Sequence, residues 1–162
     1  MTDANTRPSA PNSLYTTEQR ARRDASVWTR VQGVLAPVQF VVFLVSLVLV
    51  IRYLATGDGY AIATASVVLK TGALYLIMIT GAIWEKVVFG QYLFAPAFFW
   101  EDVFSFGVIA LHTLYIYGLL SGAIAPQSLM LIALAAYAAY VVNAGQFLWK
   151  LRIARLQSEV PA

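Results

Sequence analysis

Trp84-Glu85-Lys86-Val87-Val88-Phe89-Gly90-Gln91-Tyr92-Leu93-Phe94-Ala95-Pro96-Ala97-Phe98-Phe99-Trp100-Glu101-Asp102 is the stretch whose reading decides the fold. It holds three of the eight acidic residues and stands between two long apolar runs. It is too polar to continue either run and too aromatic for an ordinary soluble loop. Aromatic rings in such company collect at the headgroup level of a bilayer. The segment therefore reads as a membrane-surface hairpin that sets two carboxylate-bearing rims side by side, Glu85 on one and Glu101 with Asp102 on the other.

Composition points the same way. The 162 residues are 60% hydrophobic and 12% charged, with mean hydropathy +0.70, against roughly 25% charged in soluble domains. The expectation is an integral membrane protein of one domain, with the lipid bilayer as its first partner. The net charge of +3 gathers at the two ends, where it can face anionic lipid, and no basic polar surface is left for nucleic acid. The absence of cysteine rules out disulfides, iron–sulfur clusters and thiolate metal sites.

Outward from the hairpin, four apolar spans are expected at about 31–51, 61–83, 101–120 and 129–148, each long enough to cross a ~30 Å hydrocarbon core. They form an all-α, four-helix membrane bundle over residues 15–155, between a disordered polar tail at 1–14 and a short tail at 156–162. The first apolar run starts only after Trp28 and is of full length, so it is not expected to be a signal peptide. Thr16 or Thr17 opens a short basic surface helix. In the first span Gln32, Gln39, Ser46 and Tyr53 recur every seven residues, a stripe that should face other helices. Arg20, Arg22, Arg23 and Arg30 before the first span, and Lys150, Arg152 and Arg155 after the last, outweigh the lone Arg52 of the first turn. Both termini and the Trp84–Asp102 hairpin are therefore expected in the cytoplasm, with the polar stripes converging on a pocket that opens there.

The candidate site residues follow from cost and spacing. Lys70 lies near the middle of the second span, where a lysine costs at least ~2.5 kcal/mol unless it finds a partner or water; either it snorkels to the surface or it marks a site. Glu101, Ser105, Val108, His112 and Tyr115 share one helix face, with the Cα atoms of Glu101 and His112 separated by about 16 Å. Asn143, Gln146 and Lys150 share another face in the fourth span. Lys70 and His112 come to similar depth and are expected to meet. No phosphate loop or paired-histidine metal motif is present, and one histidine excludes a multi-histidine haem or di-iron site.

At these residues a resemblance becomes specific. Val31-Gln32-Gly33-Val34-Leu35-Ala36-Pro37, Ile83 to Gly90, Phe98 to Val103, Leu111-His112-Thr113 and Asn143 to Lys150 resemble the 3-vinyl (2-vinyl) bacteriochlorophyllide hydratase family over nearly the whole chain. The resemblance implies a hydro-lyase of a bacteriochlorophyll-making bacterium, in its inner, cytoplasmic or intracytoplasmic, photosynthetic membrane. The enzyme adds water across the C3-vinyl group of a chlorophyllide to give a 1-hydroxyethyl group, and other enzymes of that synthesis are candidate partners. No catalytic residue is carried over from the family.

Such a hydration needs an acid still protonated near neutral pH, an oriented water and a flat apolar slot, but no redox cofactor or enzyme-bound metal. A carboxyl buried beside aromatics suits the first role. Asp3, Glu18 and Glu159 lie in water, Asp24 belongs to the basic surface helix and Asp58 lies on the opposite side, which leaves Glu101, Asp102 and Glu85. Glu101 is expected to be the acid, because it lies on the polar face behind two phenylalanines and a tryptophan. Asp102 points about 100° away from that face, and Glu85 has Lys86 beside it. Asn143 and Gln146 suit the water. Trp84 and Trp100, with Tyr92, Phe98 and Phe99, suit the walls. Arg22, Arg23, Lys150 or Arg152 suit a free propionate. His112 is the only nitrogen candidate to ligate a substrate magnesium, though it reads rather as a structural residue, because about 16 Å from Glu101 is far for one macrocycle to span from its centre to its vinyl arm. The rival function is a non-catalytic tetrapyrrole carrier or assembly subunit built on the same slot.

Overall fold

A computed structural model describes residues 13–159, with side chains from 13 to 157. The disorder expected of the first twelve residues and the last three residues of the C-terminal tail lie outside them. The described chain is helical, with five helices: α1 Thr17–Ala25, α2 Val27–Thr56, α3 Tyr60–Phe89, α4 Phe99–Ser121 and α5 Pro126–Glu159. Four of them, α2 to α5, are long and apolar enough to cross a membrane.

Local chemistry sets each boundary. Thr16 caps α1 by accepting from Gln19 N at 3.2 Å, while the Gln19 side chain accepts from Thr16 N at 2.9 Å, a reciprocal pair that fills two orphan donors. Ser26 then ends α1 and starts α2, its hydroxyl accepting from Trp28 N at 3.2 Å. α2, α3 and α4 each stop at a glycine with positive φ, Gly57, Gly90 and Gly122, where a side chain would be strained. Pro126 opens α5 at the position where a missing N–H costs nothing. The helices overrun the expected spans because apolar runs mark only a hydrocarbon crossing, whereas these caps lie further out. At 30 residues each, α2 and α3 are about 45 Å long.

α2 packs closely on α3, and α4 on α5, making two hairpins. α2 meets α5 and α3 meets α4 more loosely. Phe43, Val50, Val67, Leu74, Val108, Tyr115, Met130 and Tyr137 form the core between the hairpins. The α2 stripe lies inward at Gln39 and Ser46, with Ser46 Oγ 2.6 Å from Tyr137 Oη and 2.7 Å from Ser66 Oγ. Gln32 is taken up by Thr80 Oγ1 on α3 at 2.7 Å, so this residue does not join the polar groups of α4 and α5. Val34, Val41 and Val48 face outward, an apolar exterior of the kind that lipid covers.

A second cluster closes the end where α3 finishes and α4 begins. Tyr15, Val88 and Phe98 are buried there, with Leu14, Trp84, Phe89 and Phe147 packed around them. Leu14 and Tyr15 thus belong to the folded domain, with Arg23 4.8 Å above the Tyr15 ring.

Candidate active site

The end of α3, the loop 90–98 and the first turn of α4 build the site. Gly90 caps α3, and the Lys86 ammonium donates to Gly90 O at 2.8 Å, so Lys86 turns to its own helix end. The loop then reverses through Phe94, a non-glycine residue at φ 59°. That reversal aims two successive amides back at the helices: Phe94 N donates to Asp102 Oδ2 at 2.7 Å and Ala95 N to Glu85 Oε2 at 3.2 Å. The two side chains so held, one from each hairpin, lie close enough for their charges to act on each other and are buried, with Glu85 5% and Asp102 3% exposed.

Asp102 is therefore not turned away from the polar groups. At its N-terminal turn α4 buries two faces, one against α5 and one against α3 and the loop, whereas helical periodicity alone registers only the first. Glu101 takes the α5 side. Its Oε2 lies 2.6 Å from Lys150 Nζ, which also donates to Ala97 O and sits 5.3 Å from the Phe98 ring centre. Three carboxyls thus divide into a carboxyl pair and an ion pair.

One turn deeper, Asn143 Nδ2 donates to Ser105 Oγ at 2.8 Å. Asn143 Oδ1 and Gln146 Oε1 are buried with no hydrogen-bond partner among the described residues. Two orphaned acceptors on one face are a place for a water, which has two protons to give. Deeper still, His112 Nδ1 is 2.8 Å from Val108 O, and its ring lies 5.9 Å from that of Tyr137. Lys70 lies at this level, close enough for its charge to act on His112, and it does not snorkel to the surface.

Phe98 is the hub of the aromatic wall. It meets Trp84 edge-on at 5.6 Å and stacks on Phe147 at 5.8 Å, while the Trp84 indole donates to Thr29 Oγ1 at 2.9 Å. Trp100 is 65% exposed and contacts Phe99, so the structure does not bring it to the carboxyls. Tyr92 and Phe99 are exposed as well. Sequence reasoning missed the amides of Phe94 and Ala95, which carry no side-chain signal, and the pairing of Lys150 with Glu101. Its one trace was the shared face of Lys150, Asn143 and Gln146. Among the described residues no three His, Cys, Asp or Glu side chains gather into a metal site.

The sequence matches the family described as 2-vinyl bacteriochlorophyllide hydratase over residues 15–153, a range that includes each residue of this site. It is similar to the 2-vinyl bacteriochlorophyllide hydratase of Cereibacter sphaeroides, 71% identical over 156 residues, covering 95% of this chain and 96% of that one. The protein of the same name from Rhodobacter capsulatus is 70% identical over 147 residues, covering 90% and 85%. No solved structure matches the chain.

Proposed function

Because the chain belongs to the 2-vinyl bacteriochlorophyllide hydratase family, we propose a route by which its own residues add water to the vinyl arm. The activity is that of a hydro-lyase of bacteriochlorophyll synthesis, acting on a chlorophyllide-type tetrapyrrole. The Glu85–Asp102 pair delivers its shared proton to the terminal vinyl carbon, leaving a cation on the inner carbon conjugated with the macrocycle. A water held by Asn143 Oδ1 and Gln146 Oε1 attacks that carbon. Its surplus proton returns to the carboxyl pair, so the vinyl group plus one water becomes a 1-hydroxyethyl group and the protein is regenerated. Phe98, Trp84 and Phe147 wall the ring system.

The observation that carries this reading is that two successive loop amides, Phe94 N and Ala95 N, hold the Asp102 and Glu85 carboxyls in one buried place, because two neighbouring buried carboxyls cannot both ionise without repulsion and one proton relieves it. Glu101, the acid expected from the helix face, has its Oε2 engaged by Lys150, and we assign it to holding α4 on α5. Glu85→Gln and Asp102→Asn should each lower kcat by about 10²–10⁴, with chlorophyllide still bound, while Glu101→Gln stays within a few-fold of wild type. The product, heavier by one water, is read by mass spectrometry. Loss of turnover in Glu101→Gln with both other variants active would return the role to Glu101.

The same reading sets the protein in the bacterial inner membrane as a four-helix bundle, with the apolar exteriors of α2 to α5 in lipid. Both termini and the carboxyl pair then face the cytoplasm, supported by the arginines of α1 and the basic end of α5. The substrate would be handed over there by the enzymes that make and consume it. His112 we assign to a role other than magnesium ligation. Ten helical residues separate it from Asp102, about 15 Å, which is too far for a macrocycle to span from its centre to its vinyl arm.

A further inference from the structure

Lys70 is fully buried, at 0% exposure, and its ammonium has no hydrogen-bond partner among the described residues. Tyr140 covers one side of it, with Nζ 3.7 Å from the ring centre. A ring face attracts the charge but does not fill the donors of an ammonium. His112, also at 0% exposure, gives its Nδ1 proton to Val108 O at 2.8 Å. Its neutral ring therefore presents Nε2 as an unpartnered acceptor beside Lys70. An ammonium kept in a core without a partner is expensive, and side chains of this kind inside membranes mark ligand paths.

The geometry points to Lys70 as the anchor for a carboxylate, the free propionate of the chlorophyllide-type substrate, an inference that rests on the hydratase reading above. Along α3 the Cα atoms of Glu85 and Lys70 stand about 22 Å apart. The four-carbon stem of Lys70 covers part of that distance, its ammonium acting at His112, a level about 15 Å from Asp102 along α4. That remaining length, too long for centre-to-vinyl, suits the span from the vinyl arm to the carboxylate on the propionate arm of another pyrrole ring. With the vinyl at Glu85 and Asp102, the propionate reaches the Lys70 level. The other cations near the site are already engaged or lie in solvent. Lys150 pairs with Glu101, Arg22 with Glu18 and Arg23 with Asp24, and Arg152 is exposed. The substrate reaches the site where α3 and α4 meet loosely, by parting the two hairpins.

The test uses the full chain in detergent, with chlorophyllide and its propionate methyl ester as probes and quenching of the tetrapyrrole fluorescence as the binding readout. Wild type should bind the acid about 10–100-fold more tightly than the ester, the range for a hydrogen bond to a charged group. Lys70→Met should bind both with the affinity of the ester, and Lys70→Arg should restore part of the preference. The Tm of Lys70→Met should equal or exceed that of wild type, because replacing an unpartnered charge by an apolar chain of similar volume leaves no group orphaned. Equal affinities for acid and ester in wild type overturn the anchor. So does a preference for the acid that survives Lys70→Met, most plainly if the Tm falls, since Lys70 is then a structural residue. Binding ratios need no turnover, so failure here is separable from failure of the Glu85 and Asp102 variants to lose catalysis.

Discussion

Replacing Lys150 by methionine isolates the contribution of the ion pair across α4 and α5. Glu101 is 7% exposed at its side chain and Lys150 25%, so the pair is largely but not wholly withdrawn from water. Removing one partner of a fully buried pair costs about 3–5 kcal/mol because the other charge is stranded. With Lys150 a quarter exposed, water reaches the gap, and the expected loss is about 2–3 kcal/mol. Glu101→Gln should cost less, about 1 kcal/mol, since Lys150 keeps the Ala97 carbonyl and its access to solvent. The double variant should recover at least about 1 kcal/mol of the Lys150→Met loss, a coupling of the size found for residues in contact. Reversible unfolding in mixed micelles, followed by tryptophan fluorescence, measures all four corners of the cycle. A Lys150→Met variant within about 0.5 kcal/mol of wild type, with no coupling to Glu101, refutes the assignment of Glu101 to structure and reopens it as the acid.

Three further outcomes are expected. His112→Ala should weaken chlorophyllide and its magnesium-free form equally; selective loss for the magnesium form, read by the same quenching titration, would make His112 the metal's ligand. Reporters active only in the periplasm should be on after Gly57 and after Pro126 and off at the C-terminus, and a periplasmic C-terminus would sink the proposed orientation. Burial pushes the Tyr15 phenol above its ordinary 10.0, so the docked state holds its proton where the released state gives it up. The docking contributed by this group is intact below pH 10 and is lost as pH rises through the higher docked value. Tyr15→Phe should abolish that loss, as followed by protease cleavage of the α1 segment.

The face of α4 was legible because one helix buried along one side leaves a period. Glu101, Ser105, Val108, His112 and Tyr115 are all buried as the spacing requires. Asp102 was not legible, because its burial comes from α3 and the loop approaching from a second direction, and no periodicity within α4 encodes a neighbour's position. Lys70 announced itself by cost. That it would rest on Tyr140 depended on how the hairpins pack. Gln32 was read as part of a stripe that faces other helices and converges on the pocket; it does face another helix, but at Thr80 of α3, since a stripe gives a direction around its own helix and not the identity of what lies opposite. Trp100, matched to Trp84 by composition, separates from it because the first turn of α4 carries consecutive residues to different sides.

The carboxyl pair is gripped by the main chain of residues 94 and 95, and this bears on how the protein can vary. A peptide amide is the same whatever side chain it carries, so the loop can exchange Tyr92 or Leu93 for other residues without altering what Asp102 and Glu85 receive, whereas Gln91 braces the loop by donating to Leu93 O at 2.8 Å. A proline at 95 removes one of the two donors outright, and an insertion or deletion between Gly90 and Phe98 moves both. Libraries that diversify the tip of this loop while fixing its length should yield many folded, active variants with altered access for tetrapyrroles. Libraries that change its length should yield almost none.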